Sequence, residues 1–157
     1  MKKFALALAA VFVLAIACGG AGTPDQVVKK FIDAFQSGDG EAIVSCISAD
    51  GLAELNASIE SMKETPEESA GFLAMMGVEV TAEELANWTA ADFLTAMMGS
   101  EMLAEEMPDF SNVEIGAAVI DGETATVPVT VDGETEDIEL VLEDGSWKIT
   151  GDAMSMM

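Results

Sequence analysis

The 157-residue chain contains no histidine, no tyrosine and no arginine. Each absence removes a class of function. Histidine is the one side chain that titrates near neutrality unperturbed, so the usual general base of acyl transfer and isomerisation is missing. Without tyrosine there is no phenol to donate to a developing oxyanion. Phosphate-backbone binding depends on Lys and Arg. Six lysines against 29 acids give a formal net charge of −23, so nucleic acid is excluded as a partner. The two cysteines, Cys18 and Cys46, cannot supply a disulfide framework if one of them is modified. Cys46 lies among Ala42, Ile43 and Ile47 at helical spacing with no basic residue near it in sequence. It reads as a buried structural thiol rather than a reactive one.

Residues 1–17 carry Lys2 and Lys3 followed by an apolar run from Phe4 to Ala17. At about 14 residues the run is shorter than the roughly 20 that a spanning helix needs. The segment closes Ala15-Ile16-Ala17-Cys18-Gly19 and resembles a bacterial lipoprotein signal with its lipobox, Ala15 standing where Leu is usual. That resemblance implies cleavage before Cys18, which would become the lipidated first residue. The expected home is the bacterial cell envelope, with the membrane held through the N-terminal lipid. Gly19 is compatible with outer-membrane sorting where a cell has two membranes. An ordinary secretory signal with a coincidental cysteine is the alternative. Residues 18–22 then form a flexible glycine-rich tether. Dropping Lys2 and Lys3 leaves four lysines against 29 acids, a formal −25. An anionic surface would repel such a domain, leaving the lipid as its anchor.

Residues 23–152 fit a single domain. Thr23-Pro24-Asp25-Gln26 opens a helix with a Thr cap, a first-turn Pro and a capping-box Gln. Val27, Val28, Phe31, Ile32 and Phe35 form its apolar face, and Gly38 stops it. Further helices are expected near 41–47 and 51–63. Residues 65–107 read as a helical insert in which Thr65, Thr81 and Thr89 each precede an acid by three residues.

From Asn112 to Thr150 the pattern is strand, Asp-Gly, strand, Asp-Gly, strand, Asp-Gly, strand, a four-stranded antiparallel meander. Period-two alternation puts Val113, Ile115, Ala117 and Val119 on an inner face with Ala125, Val127, Val129 and Val131. Ile138, Leu140, Leu142, Trp147 and Ile149 complete it. Two-residue turns at Asp132-Gly133 and Asp144-Gly145 place Val127 opposite Ile138 and Leu142 opposite Trp147. A two-residue turn at Asp121-Gly122 mismatches the faces. A three-residue loop with Gly122 left-handed, pairing Val119 with Glu123, restores them; a bulge at Pro128 is the alternative. The fold class is therefore α+β, with N-terminal helices packed on one face of a curved C-terminal sheet.

Thr23-Pro24-Asp25-Gln26-Val27-Val28-Lys29-Lys30-Phe31, Phe35-Gln36-Ser37-Gly38-Asp39 and the terminal Gly145-Ser146-Trp147-Lys148-Ile149 together resemble small bacterial lipoproteins of the nuclear transport factor 2-like superfamily. The resemblance covers about 23–50 and 111–151. It implies a cone of helices on a curved sheet, and that fold hosts enzymes and binding modules alike. Its catalytic members use Tyr, His and Asp within the cone, and no such motif is present here, so no catalytic residue and no cofactor are expected.

Phe31, Phe35, Val127, Leu140 and Trp147 face one another across the expected cone, as a closed core or as an apolar pocket for a protein or small apolar ligand. Small domains need that burial to fold, which favours the core. The acid pairs Glu67-Glu68, Glu83-Glu84 and Glu105-Glu106 fall at helix starts or on exposed faces, where solvation and the helix dipole account for them. Asp132, Glu134 and Glu136 have the opening spacing of a calcium loop, but Asp137 replaces its Gly and no Glu follows at the last position. Met75, Met76, Met97, Met98, Met102, Met107 and the 153–157 tail with Met154, Met156 and Met157 offer a soft ligand set suited to Cu(I). Core filling is the competing account of the helical methionines. The expectation is a lipid-anchored, non-enzymatic binding module. Soft-metal handling is the alternative, and a cryptic enzyme of the same superfamily comes third.

Overall fold

The computed structural model describes residues 22–100, 102 and 110–151. The signal segment, Cys18, Met107, the Glu105-Glu106 pair and the methionine tail lie outside the described residues. Among the described residues, these helices precede the sheet: α1 (Pro24–Ser37), α2 (Gly40–Cys46), α3 (Ala49–Glu64), α4 (Pro66–Met75), α5 (Ala82–Leu85) and α6 (Ala90–Met98). A 3-10 turn at Phe110–Asn112 leads into β1 (Glu114–Ile115), β2 (Val119–Asp121), β3 (Thr124–Val131), β4 (Glu134–Glu143) and β5 (Ser146–Ile149). The architecture is α+β, with helices on a curled antiparallel sheet.

Local chemistry sets the helix ends. The Thr23 N–H donates to Gln26 Oε1 at 3.2 Å, and Thr81 and Thr89 close full capping boxes with Glu84 and Asp92. Thr65 precedes α4 without a side-chain cap bond. Gly38 and Gly77 end α1 and α4 alike. Both take positive φ, and the next residue's N–H reaches back to a carbonyl five residues earlier, Asp39 to Ala34 and Val78 to Leu73. Only glycine takes that φ without a Cβ penalty. Val78 and Leu73, the two ends of the second such bond, are also buried against each other's cluster with Leu85.

Two hydrophobic clusters result. The main core joins Val28, Phe31 and Ile32 of α1, Ile43 and Cys46 of α2, and Leu94 of α6 to Ala125, Val127, Val129, Ile138, Leu140 and Ile149 of the sheet. Each fully buried aliphatic side chain contributes roughly 1.5–3 kcal/mol. A smaller cluster of Leu73, Val78 and Leu85 lies within the insert, and Phe93 packs against both. The insert is thus fastened to the domain through α6, which packs on α2 and α3. The contact is close at Gly40. A Cβ there would run into the Ala91 carbonyl oxygen and stand 2.5 Å from Thr95 Oγ1, while the Gly40 N–H donates to that same hydroxyl.

The sheet order is β1-β3-β4-β5, with β2 also paired to β3. Val127 faces Ile138, Ala125 faces Leu140, Leu142 faces Trp147 and Leu140 faces Ile149, the pairings expected from the alternation. Asp132-Gly133 and Asp144-Gly145 all have positive φ, as type I′ turns require. At the far edge the Ser48 N–H donates to the Ile149 carbonyl at 2.8 Å, and Ile47 bridges Ile149 in parallel.

The first hairpin departs from expectation. Asp121 pairs with Thr124 across a two-residue turn at Gly122-Glu123, and Val119 pairs with Thr126, not with Glu123. The first strand of the expected meander is two strands, because one extra residue lies in Gly116–Ala118 between Ile115, which faces Val129, and Val119. Pro128 is the cause. It lacks an N–H for this side of the ladder, and its carbonyl accepts from the Gly116 N–H at 2.7 Å. A Cβ on Gly116 would lie 2.6 Å from the proline Cγ. The bulge reverses the faces beyond it, so Val119, expected inside, is 69% exposed, and Ala118 rather than Ala117 packs on the core.

Candidate functional site

The five residues expected to face one another across the cone meet in the main core. Phe31, Val127 and Leu140 are buried, and Phe35 and Trp147 pack half-buried against them. Phe35 stacks tilted on Phe31 at 6.0 Å between centroids and edge-on to Phe110 at 5.6 Å. The five side chains belong to one hydrophobic cluster between helices and sheet. Cys46 lies in the same core, 2% exposed, with Ser45 Oγ 3.8 Å from its sulfur.

A concave surface lies at one end of the sheet. A cleft of about 530 Å³ is bounded by Ser48, Asp50, Gly51 and Glu54 at the start of α3, by Thr124–Thr126 of β3, by Glu139–Val141 and Glu143 of β4, and by Thr150 and Gly151. Folding builds it by bringing the chain back on itself twice. After α2 the backbone joins the edge of β5 through Ser48, which starts α3 at the sheet's end, and the Ser48 hydroxyl accepts from the Gly51 N–H at 3.2 Å. Past β5 the Thr150 N–H donates to the Glu139 carbonyl at 3.0 Å, so the chain runs on beside β4 and Thr150 and Gly151 form part of the cleft wall. Gly51 and Gly151 pass so closely that a Cβ on Gly51 would stand 3.2 Å from the Gly151 Cα.

Among the described residues, four carboxylates line this cleft: Asp50, Glu54, Glu139 and Glu143. Glu143 is committed in part. Both of its oxygens accept from the Ala49 N–H, at 3.1 and 3.0 Å, which places a negative charge at the N-terminus of α3 where the helix dipole favours it. The lysines are engaged elsewhere. Lys29 pairs with Asp33, Lys63 with Glu60, and Lys30 and Lys148 both donate to Ser45, through its hydroxyl and its carbonyl. None of the four lines the cleft. Its carboxylates therefore face solvent without a cation from the described residues.

A second, more open hollow of about 530 Å³ in the insert is lined by Glu79, Glu83, Glu84 and Asp92 beside Trp88. Glu67 and Glu68 stand in the first turn of α4 and Glu83 and Glu84 in that of α5. Bonds from the Thr81 backbone N–H and hydroxyl hold Glu84 below its ordinary pKa, and the same bonds from Thr89 lower Asp92. Asp132 forms the β3–β4 turn while Glu134 and Glu136 sit on β4. Among the described residues no three His, Cys, Asp or Glu side chains come together as a metal site would require. The helical methionines are dispersed: Met98 packs on the main core, Met76 and Met97 on the insert's cluster, and Met75 is exposed. The cleft was not foreseen from the sequence. Its four acids are spread over nearly a hundred residues, and the joining of Ser48 to the β5 edge brings those at the start of α3 to those of β4.

No protein-family model and no curated protein matches the chain. Among solved structures it is similar to a Campylobacter jejuni protein described as an NTF2-like transpeptidase, at 16% identity and a TM-score of 0.43, over 82% of this chain and 98% of that one. At that distance the likeness does not bring the other protein's activity to this chain. What the structure itself defines is an α+β domain with a hydrophobic core between helices and sheet and an acidic cleft at one end of its sheet.

Proposed function

We propose that the protein is a lipid-anchored, non-enzymatic binding module of the bacterial cell envelope, and that it binds cationic groups in the cleft between α3 and the end of the sheet. The cleft's four carboxylates, with no cation beside them among the described residues, carry this reading. In a domain of formal charge −25, a ligand or protein segment bearing ammonium groups would be steered toward such a cleft and held there by charge-assisted hydrogen bonds. The sequence supports the anchor: Lys2-Lys3, a short apolar run, and Cys18 after Ala15-Ile16-Ala17. Cys18→Ser is expected to move the protein from the membrane to the soluble fraction; a mutant that fractionates like wild type would refute the anchor.

Native mass spectrometry of the purified protein, followed by calorimetric titration with polyamines and lysine-rich peptides, tests the binding reading. Binding should be weakened in Glu54→Gln and Glu139→Gln and retained in Glu67→Gln, whose carboxylate lies on α4 away from the cleft. Equal weakening in all three would indicate net charge alone. A Cu(I)-loaded species would support soft-metal handling through the methionines instead. Turnover lost on replacing Glu54 or Glu139 would support a cryptic enzyme.

A further inference from the structure

We propose that the β2 edge, with Ile120 and Val119, rests against the phospholipid surface that carries the Cys18 anchor and so fixes which way the acidic domain faces. This rests on the lipid-anchor reading above. Ile120 and Val119, successive residues on opposite faces of the strand, flank its edge 56% and 69% exposed, and the strand is paired only to β3 among the described residues. Apolar side chains on an open strand edge are a hazard unless something covers them. The position of this edge identifies the cover. Ile120 lines a groove with Ile115 and Gly116–Ala118 on one side and Thr23, Pro24, Asp25, Gln26 and Lys29 at the start of α1 on the other. The described chain thus enters the fold beside β2. Cys18 precedes Thr23 by five residues, which span at most roughly 18 Å when fully extended. An acyl chain on Cys18 therefore holds the start of α1 within that distance of the bilayer, with the β2 edge across the groove from it.

The other large exposed apolar side chains, Phe72, Met75 and Met102, belong to the insert, where α4 packs on α3 and α5 rather than beside the start of α1. Charge selects the lipid. Asp121 and Glu123 flank the hairpin tip, and the domain as a whole is strongly anionic, so the fitting surface is zwitterionic phospholipid. With those acids at the tip, Ile120 and Val119 sit at headgroup level rather than in the hydrocarbon.

The test uses full-length protein purified from cells and reconstituted in phosphatidylcholine vesicles that contain headgroup-nitroxide phospholipid. In a Cys46→Ala background, Ile120→Cys, Val119→Cys and Glu134→Cys each carry a small fluorophore. Six residues of β3 separate the partner of Ile120 from that of Glu134, roughly 20 Å along the strand. Labels at 120 and 119 should be quenched and the label at 134 should not. The mass of the N-terminal peptide reports acylation separately. If Cys18 is unmodified, both the anchor and this orientation fall. If it is acylated and position 134 is quenched as strongly as 120, the orientation alone falls. Self-quenching between labels at 120 in place of lipid quenching would assign the edge to a second copy of the chain and overturn the membrane contact.

Discussion

Gly40→Ala sets two physical arguments against each other, and they predict opposite signs. Gly40 is the first residue of α2, and helix propensity alone expects alanine there to stabilise by about 0.5–1 kcal/mol. Packing expects the reverse. The new Cβ would strike the Ala91 carbonyl oxygen, with the Ala91 carbonyl carbon at 3.0 Å and Thr95 Oγ1 at 2.5 Å. Two of those three atoms are backbone of α6, so relief requires one helix to move off the other. Overpacking of this kind costs about 1–3 kcal/mol. Separating the helices also stretches the Gly40 N–H bond to Thr95 Oγ1, now 3.2 Å, for about another 1 kcal/mol. Net of propensity, a loss of about 2 kcal/mol is expected from urea unfolding followed by tryptophan fluorescence. Trp88 packs in the insert's cluster and Trp147 on the main core, so single-tryptophan versions should show the insert losing more than the sheet. Gly71→Ala is the control. It lies mid-helix in α4 with nothing within 4 Å of a Cβ, and should gain about 0.5–1 kcal/mol from propensity. If Gly40→Ala is as stable as wild type while Gly71→Ala behaves as expected, the close α2–α6 contact is wrong and the insert is not fastened there.

Other perturbations probe separate parts of the structure. Leu140→Ala removes a side chain 1% exposed at the centre of the core and should cost about 2–5 kcal/mol by urea denaturation; a loss well under 1 kcal/mol would mean the space there is not filled. Glu84 and Asp92 have depressed pKa values, so their contribution to folding is fully present above the ordinary values of 4.5 and 3.8 and is lost as pH falls through the lower folded ones. Glu84→Gln with Asp92→Asn should therefore flatten the acid limb of a stability-versus-pH curve and leave its neutral plateau sloping as before; an unchanged acid limb would refute the two caps. Gly133→Ala should cost about 1–2 kcal/mol, because φ there is +87°, and an unaltered unfolding midpoint would contradict the turn assignment. Raising ionic strength from about 0.01 to 0.15 M shortens the Debye length from about 30 to 8 Å and should raise the unfolding midpoint of so acidic a chain; a salt-independent midpoint would mean its charges are already compensated.

The parts of the fold that could be read from the sequence are those governed by neighbours in the chain. Thr81 and Glu84, or Thr89 and Asp92, are three residues apart, and a cap needs nothing else. Asp132-Gly133 and Asp144-Gly145 determine their own turns, and once the turn length is known every pair from Val131–Glu134 to Ala125–Leu140 follows by counting. The first hairpin broke the count because its deciding residue lies on the partner strand. The sequence 114–121 contains nothing that forces an interruption. Pro128, in the middle of β3, imposes one on whatever strand pairs with its N–H side, and Gly116 is where that strand can yield. Placing the irregularity in the turn instead put Val119 inside, and with it hid the exposed edge that Val119 and Ile120 form.

The cleft illustrates a different limit. Each of its carboxylates, taken alone, looks like a solvated acid in a chain that has 29 of them, and three of the four have no local partner that would mark them. Glu143 is instructive because its role is structural and remote: it caps α3 from 94 residues away through the Ala49 N–H. That bond holds the start of the helix against the end of the sheet, and the cleft is the space left beside it. Glu143→Gln keeps an acceptor for the Ala49 N–H and removes the charge, whereas Glu143→Ala removes both. If the cleft binds cations through its shape as well as its charge, the alanine variant should weaken polyamine binding more than the glutamine one, and should also destabilise the fold by about 0.5–2 kcal/mol as other lost N-caps do. Equal effects of the two variants on binding would mean that Glu143 acts there by charge alone and that the position of α3 does not matter to the ligand.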